Sequence, residues 1–153
     1  MSLIKKNIKI ATILPYKENY TFNKASAASL WVAEFFKRSK FRNSNDIYGH
    51  TKNSDYLTKN YINIELRNIK SRFKSVTNEY LKKLIKKFQI TKYDIIEIHN
   101  RPLILEGLYK KISSRYIMYF HNDPLSMNGS KTIKERLNII SNVEKIIFVS
   151  EWT

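Results

Sequence analysis

Two short stretches decide how this chain is read: DIIEIHNRP at residues 94–102 and RYIMYFHNDP at residues 115–124. In each, an apolar run rich in β-branched and aromatic residues stops at His-Asn, followed by a charged residue and a proline. Runs of this length bounded by turn-forming residues read as buried strands. The intervening LILEGLYKKI follows Pro102, a residue well suited to the first turn of a helix. A strand, a helix and a second strand packed this closely form a crossover unit with parallel strands. Both His-Asn stops then fall on one edge of one sheet. His99 and His121, two of the three histidines in the chain, sit at those stops.

The same alternation continues in both directions. IKIATIL at residues 8–14 reads as a first strand, and the polar loop PYKENYTFNK follows it. A helix from Ala25 places Ala28, Trp31, Val32, Phe35 and Phe36 at helical spacing, with Asn23 or Ser26 as its cap. Residues 41–60 are the least legible, although DIYGH can hold a short second strand. YINIEL alternates, with Ile62, Ile64 and Leu66 on one face of a third strand. In NEYLKKLIKKFQI, Leu81, Leu84, Ile85 and Phe88 share a helical face, and Lys82, Lys83, Lys86 and Lys87 surround the other. Asn128-Gly129 marks a turn. Thr132 with Glu135 makes a capping box opening a helix built on Ile133, Leu137 and Ile140. KIIFV supplies a sixth strand. The expected fold is α/β: one domain over residues 1–153, a mostly parallel sheet of about six strands, and helices on both faces.

Composition narrows the functional classes. A chain of 153 residues with 42% hydrophobic and 27% charged content is globular rather than disordered. It has no cysteine, so disulfides and thiolate metal sites are excluded and the compartment leans to cytoplasm. The N-terminal apolar run is short and lacks a small-residue cleavage site, which fits a strand and not a signal peptide. No stretch approaches the roughly 18 apolar residues of a membrane span, so the expectation is a soluble or peripheral protein. Twenty-eight Lys and Arg against thirteen Asp and Glu give a formal charge of +15. Nucleic acid, an anionic membrane surface and phosphorylated substrates all suit that charge. So does the plain effect of AT-rich coding, which favours Lys, Asn, Ile and Tyr. No nucleic-acid-binding motif accompanies the charge, and the aromatics sit where a core wants them. The lysine-rich helix between Glu79 and Lys92 is either a membrane-facing surface or a solvated one.

Ligands of open parallel sheets bind outside the carboxyl ends of the strands. There His121 can donate a hydrogen bond or move a proton near neutral pH, or simply cap its strand. His99, Asn100 and Arg101 share that edge, and Arg101 suits a phosphate or carboxylate. Asn122 and Asp123 join them; Asp123 either orients a hydroxyl-rich ligand or caps a turn. Lys17 in the first loop, and Ser150 and Glu151 after the sixth strand, complete the set. The small residues Ala25, Ser26, Ala27 and Ala28 at a helix start either admit an anion to backbone amides or allow close packing. His50, His99 and His121 lack metal-ligand spacing, so no metal is expected. Neither a G-x-G-x-x-G fingerprint nor a P-loop is present, which argues against a dinucleotide cofactor.

In their order, KIATILPYKE, NKASAAS, DIIEIHNRP, YFHNDPLSMNGSKT and ERLNIISNVEKIIFVSEWT resemble the N-terminal half of a GT-B glycosyltransferase of family 4. The resemblance covers essentially the whole chain. It implies a Rossmann-like acceptor-side domain facing a second domain that binds a nucleotide-sugar through two glutamates separated by seven residues. It also implies metal-independent transfer with retention at the anomeric carbon, often in lipopolysaccharide or other surface-glycan synthesis at the inner membrane. On that basis His121 contacts the donor sugar, while Asn23, Ala25 and Ser26 border the donor phosphates or the acceptor. His99, Asn100 and Arg101 line the acceptor side. Two departures stand out. The family's glycine pair is here Ala25-Ser26, whose Cβ atoms limit the approach of a phosphate. The sequence also stops at Thr153 without the paired glutamates, so this polypeptide is expected to be inactive by itself.

Overall fold

The computed structural model describes residues 7–66 and 75–149. Six strands form one parallel sheet: β1 (Ile10–Ile13), β2 (Asn45–Gly49), β3 (Tyr61–Asn63), β4 (Ile95–His99), β5 (Arg115–Phe120) and β6 (Lys145–Phe148). Their spatial order is β3-β2-β1-β4-β5-β6, and every adjacent pair is parallel. This is the Rossmann-like order, which reverses direction between β1 and β4 and opens a crevice at their carboxyl ends.

Among the described residues four α-helices cover the two faces: α1 (Ala27–Arg38), α2 (Val76–Ile90), α3 (Pro102–Tyr109) and α4 (Ile133–Asn142). Val32, Ala33 and Phe36 of α1 pack with Leu14, Ile47 and Tyr61 on one side. Leu84, Ile85 and Phe88 of α2, Ile104, Leu105 and Leu108 of α3, and Ile139 of α4 cover Ile96, Ile98, Met118 and Phe120 on the other. Each such fully buried aliphatic side chain contributes about 1.5–3 kcal/mol of transfer free energy. The covered strands therefore read as continuous apolar runs.

Local chemistry sets the helix starts. Ser26 caps α1 by accepting from the Ser29 N–H at 3.2 Å, so Ser26 and not Asn23 is the cap. Ser75 caps α2. The Thr132–Glu135 capping box is complete, with Thr132 N–H donating to Glu135 at 2.8 Å and Glu135 N–H donating to Thr132 at 3.2 Å.

Three expectations are corrected. α4 does not rest on Ile133, Leu137 and Ile140, which are all exposed; Ile139 points inward instead. Phe35 is 50% exposed, and its ring lies flat on Trp31 with centroids 5.3 Å apart. The third strand ends at Asn63 and does not run on through Leu66. Past that point Ile64 N–H still donates to the Gly49 carbonyl at 2.7 Å, and the Asn63 side chain accepts the Thr51 N–H at 2.8 Å.

Candidate functional site

β4 is buried on both faces, and its alternation divides two chemistries. Ile96 and Ile98 enter the apolar core, while Glu97 and His99 face the α1 side. A buried carboxyl is costly unless it is hydrogen-bonded. Thr12 of β1 lies 2.7 Å from Glu97 Oε2, and Tyr119 of β5 donates to Oε1 at 3.3 Å. Thr12 continues to the Asn45 side chain at 3.1 Å. Burial raises the Glu97 carboxyl above its ordinary range, and the two hydroxyls act in the opposite direction.

His99 lies flat on the Tyr119 ring, with centroids 4.4 Å apart and planes at 5°. Its Nδ1 is 2.7 Å from Nε2 of His121, one of the two being the donor. His99 is 1% exposed, and its Nε2 is buried without a protein partner. Burial, and then the charge of His121, hold the His99 imidazole well below its usual pKa. Burial also lowers that of His121, while the Glu18 carboxylate pulls it back up. Both shifts favour the neutral imidazoles, a pair joined by one hydrogen bond, and His121 is the member that reaches the surface.

The two His-Asn stops are not equivalent. Asn100 has φ of 51°, a left-handed conformation that asparagine tolerates better than most residues. Its N–H donates to the Tyr119 carbonyl at 2.9 Å, and its side-chain oxygen accepts the His121 N–H at 2.7 Å. Asn100 therefore clamps the end of β4 to the end of β5. Asn122 is exposed and has an ordinary φ.

A cavity of about 370 Å³ opens at this edge, between the β1 loop, the start of α1 and the end of β5. Glu18, Ser26, Ala27, Ala28, Trp31, Asn100, His121, Asn122 and Val149 line it. Trp31 meets the His121 ring edge-on at 5.4 Å, so the imidazole is held between an indole and a second imidazole. Its Nδ1 is the ring nitrogen that His99 does not engage. An imidazole beside a tryptophan, two asparagines and the Glu18 carboxylate suits a hydroxyl-bearing ligand. A second cavity, of about 430 Å³, lies on the other side of Asn100 and contains Lys17 and Arg101. A larger depression of about 690 Å³, lined by residues 109–116 and 141–144, lies at the opposite edge, away from the strand carboxyl ends.

The remaining sequence candidates fall elsewhere. Asn23 is an exposed turn residue, and Ala25 is half-buried against the α1-side core. Asp123 accepts the Leu125 N–H at 2.8 Å and caps a short 3₁₀ turn, the plainer of the two roles foreseen for it. His99 supports His121 from inside and lines neither cavity. Ser150 and Glu151 lie outside the described residues. Among the described residues no group of three or more His, Asp or Glu side chains comes close enough to hold a metal.

Trp31, Glu18 and Glu97 were not singled out from the sequence. Trp31 reads as one more core aromatic in an amphipathic helix. Glu97, a lone carboxylate inside an isoleucine-rich strand, is the signal that was available.

A scan of the sequence against protein-family models finds no match, and a search of curated proteins finds no significant relative.

Proposed function

We propose that this domain is the acceptor-side half of a retaining glycosyltransferase that moves a sugar from a nucleotide-sugar to a glycan or lipid-linked acceptor. One observation carries the reading: a neutral imidazole, His121, projects into a cavity at the sheet's switch point, walled by Trp31 and the small-residue start of α1. Sugars are recognised by hydrogen bonds to hydroxyls combined with stacking on aromatic faces. The lining offers both, with His121, Asn122 and the Glu18 carboxylate as hydrogen-bonding groups and Trp31 as the aromatic wall. The amides of Ala27 and Ala28, in the first turn of α1, have no carbonyl one turn behind them, and they border the same cavity. The nucleotide of the donor would be held chiefly by a second domain, with this chain contributing His121 to the sugar.

The test is turnover in a polypeptide that also carries a donor domain. His121→Ala is expected to lower transfer by about 10²-fold or more while leaving the thermal midpoint near that of the parent. Transfer at the parent rate removes His121 from the chemistry.

A second reading, a non-catalytic module on an anionic glycolipid, membrane surface or partner subunit, draws support from the outer face of α2. Lys82, Lys86 and Lys87 are exposed there, and Ile90 is 85% exposed beside them. Lys83 does not add to that face: it pairs with Glu79 at 3.6 Å and donates to the Glu65 carbonyl. No helix among the described residues is long and apolar enough to cross a membrane, so contact of this kind would be peripheral, on the inner face of a cell membrane. Binding to anionic but not neutral vesicles, weakened by salt and abolished by Lys82→Gln/Lys86→Gln/Lys87→Gln, would favour it. Indifference to vesicle charge removes it.

A further inference from the structure

The cavity on the far side of Asn100 has a different character from the one around His121. Lys17 comes to it from the β1 loop, Arg101 from the end of β4, and Lys131 from the loop before α4, and no acidic residue lines it. None of these three cations forms an ion pair among the described residues. Like charges gathered without a counter-ion repel one another, and a bound anion relieves that repulsion.

The cavity is also built rather than accidental. The Arg101 guanidinium lies over the Tyr16 ring at 5.3 Å and donates to the Asn100 carbonyl at 3.1 Å. Tyr16 is fixed in turn by a 3.1 Å hydrogen bond to Thr77. Arg101 Nε is buried with no protein partner, so the guanidinium keeps a donor that the fold does not use. Arg136 donates to the Ser130 and Lys131 carbonyls at 3.1 and 2.6 Å, which pins the loop carrying Lys131. Gly129, at φ of 91°, lets that loop close against Pro102 and Leu103. A surface lysine in water needs none of this support.

We propose that this cavity binds a phosphate ester, and that the phosphate belongs to the acceptor. Charge decides between anions. A phosphate monoester carries about −1.5 to −2 near neutral pH with three acceptor oxygens, whereas a carboxylate carries a single charge. Three cations from three segments match the former. Asn100 is common to both cavities, so a phosphate held by Arg101 places the sugar or lipid it is attached to beside the His121 cavity. Assigning the phosphate to the acceptor rests on the transferase reading; the anion site itself does not.

The experiment is an amide chemical-shift titration of the chain with inorganic phosphate, chloride being adjusted to hold ionic strength constant. Saturable shifts confined to Tyr16, Lys17, Asn100, Arg101, Leu103 and the Met127–Lys131 loop are expected, with Kd raised about tenfold or more by Arg101→Gln and likewise by Lys131→Gln. Lys131 is exposed, so its variant folds even if the Arg101 variant does not. Lys145→Gln, at the exposed start of β6 and the opposite edge of the sheet, is expected to leave Kd unchanged. Shifts scattered over surface lysines, or a Kd indifferent to both cavity variants, overturn the site. Two further arms separate the sources of the phosphate: glucose 6-phosphate for a soluble acceptor, and phosphatidic acid in bicelles for a lipid-linked one. Tighter binding of either than of inorganic phosphate, with shifts spreading to Trp31 and Asn122, supports the acceptor assignment and names its source. Binding of both no tighter than inorganic phosphate overturns that assignment while leaving the anion site. Failure of sugar transfer, by contrast, removes the transferase reading and the acceptor assignment with it, and leaves the anion site standing.

Discussion

Acid should destabilise this fold through the histidine pair, and the size of the effect follows from linkage. In the unfolded chain each histidine titrates near about 6.5. In the folded protein His99 is buried against Tyr119 and hydrogen-bonded to His121, and burial holds its pKa well below that value. A folded-state pKa below the unfolded one means that the unfolded chain binds the extra proton. Stability is thus fully present above about pH 6.5 and falls as pH drops through and below it, by about 1.4 kcal/mol per pH unit for one such histidine. For a chain of this length that corresponds to roughly 3–6 °C in thermal midpoint per pH unit. Carboxylates add their own pH dependence to stability, so the clean quantity is the difference between the parent and His99→Gln, followed by urea unfolding from pH 7 to pH 5. That difference is expected to change with the full one-proton slope, the variant losing less stability than the parent on acidification. His121 adds a smaller slope of the same sign, because it is half-exposed and Glu18 partly offsets its burial. A parent-minus-variant difference independent of pH would refute the reasoning, since it would mean that His99 ionises in the fold as readily as in the open chain.

Glu97 has the opposite linkage: burial raises its carboxyl pKa, so its cost appears as pH rises above about 4.3, the unfolded value. Glu97→Gln should therefore gain stability relative to the parent between pH 4 and pH 7, as read from urea midpoints at each pH. Thr132→Ala removes the side-chain half of the α4 capping box, the hydroxyl that accepts the Glu135 N–H, and should cost about 1 kcal/mol, measured by thermal unfolding. Gly129→Ala forces a Cβ into a left-handed position and to within 3.1 Å of the Leu103 nitrogen and Pro102 Cβ. A loss of about 1–2 kcal/mol is expected, together with weakened phosphate binding, because the loop carrying Lys131 moves.

Much of the fold could be read along the chain because central parallel strands announce themselves. IIEIH and RYIMYF are covered on both sides, so nearly every position is apolar and the runs stand out. Helix orientation was harder to read. In α4 the spacing of Ile133, Leu137 and Ile140 defines a face, but spacing does not say which face meets the sheet. Ile139 takes that place, while Asn138 accepts a 3.0 Å hydrogen bond from Tyr109. At the candidate site the sequence located the edge and its histidines, because both strands end in the same words. Their unequal roles were not visible. They arise from the left-handed turn at Asn100 and from the burial of His99 against Tyr119, which leaves His121 as the member that lines the cavity, and these are tertiary facts. The cation cavity draws Lys17, Arg101 and Lys131 from three loops far apart in sequence, and no linear pattern joins them.

The central claim is that the cavity around His121 holds a sugar. Ligand-observed saturation-transfer spectroscopy with a panel of uncharged mono- and disaccharides tests it without any donor domain. The account predicts saturation transfer to at least one sugar in the parent chain and its loss in His121→Ala and in Trp31→Ala, with both variants still folded. Absence of transfer across the whole panel, or transfer that survives both substitutions unchanged, would contradict it.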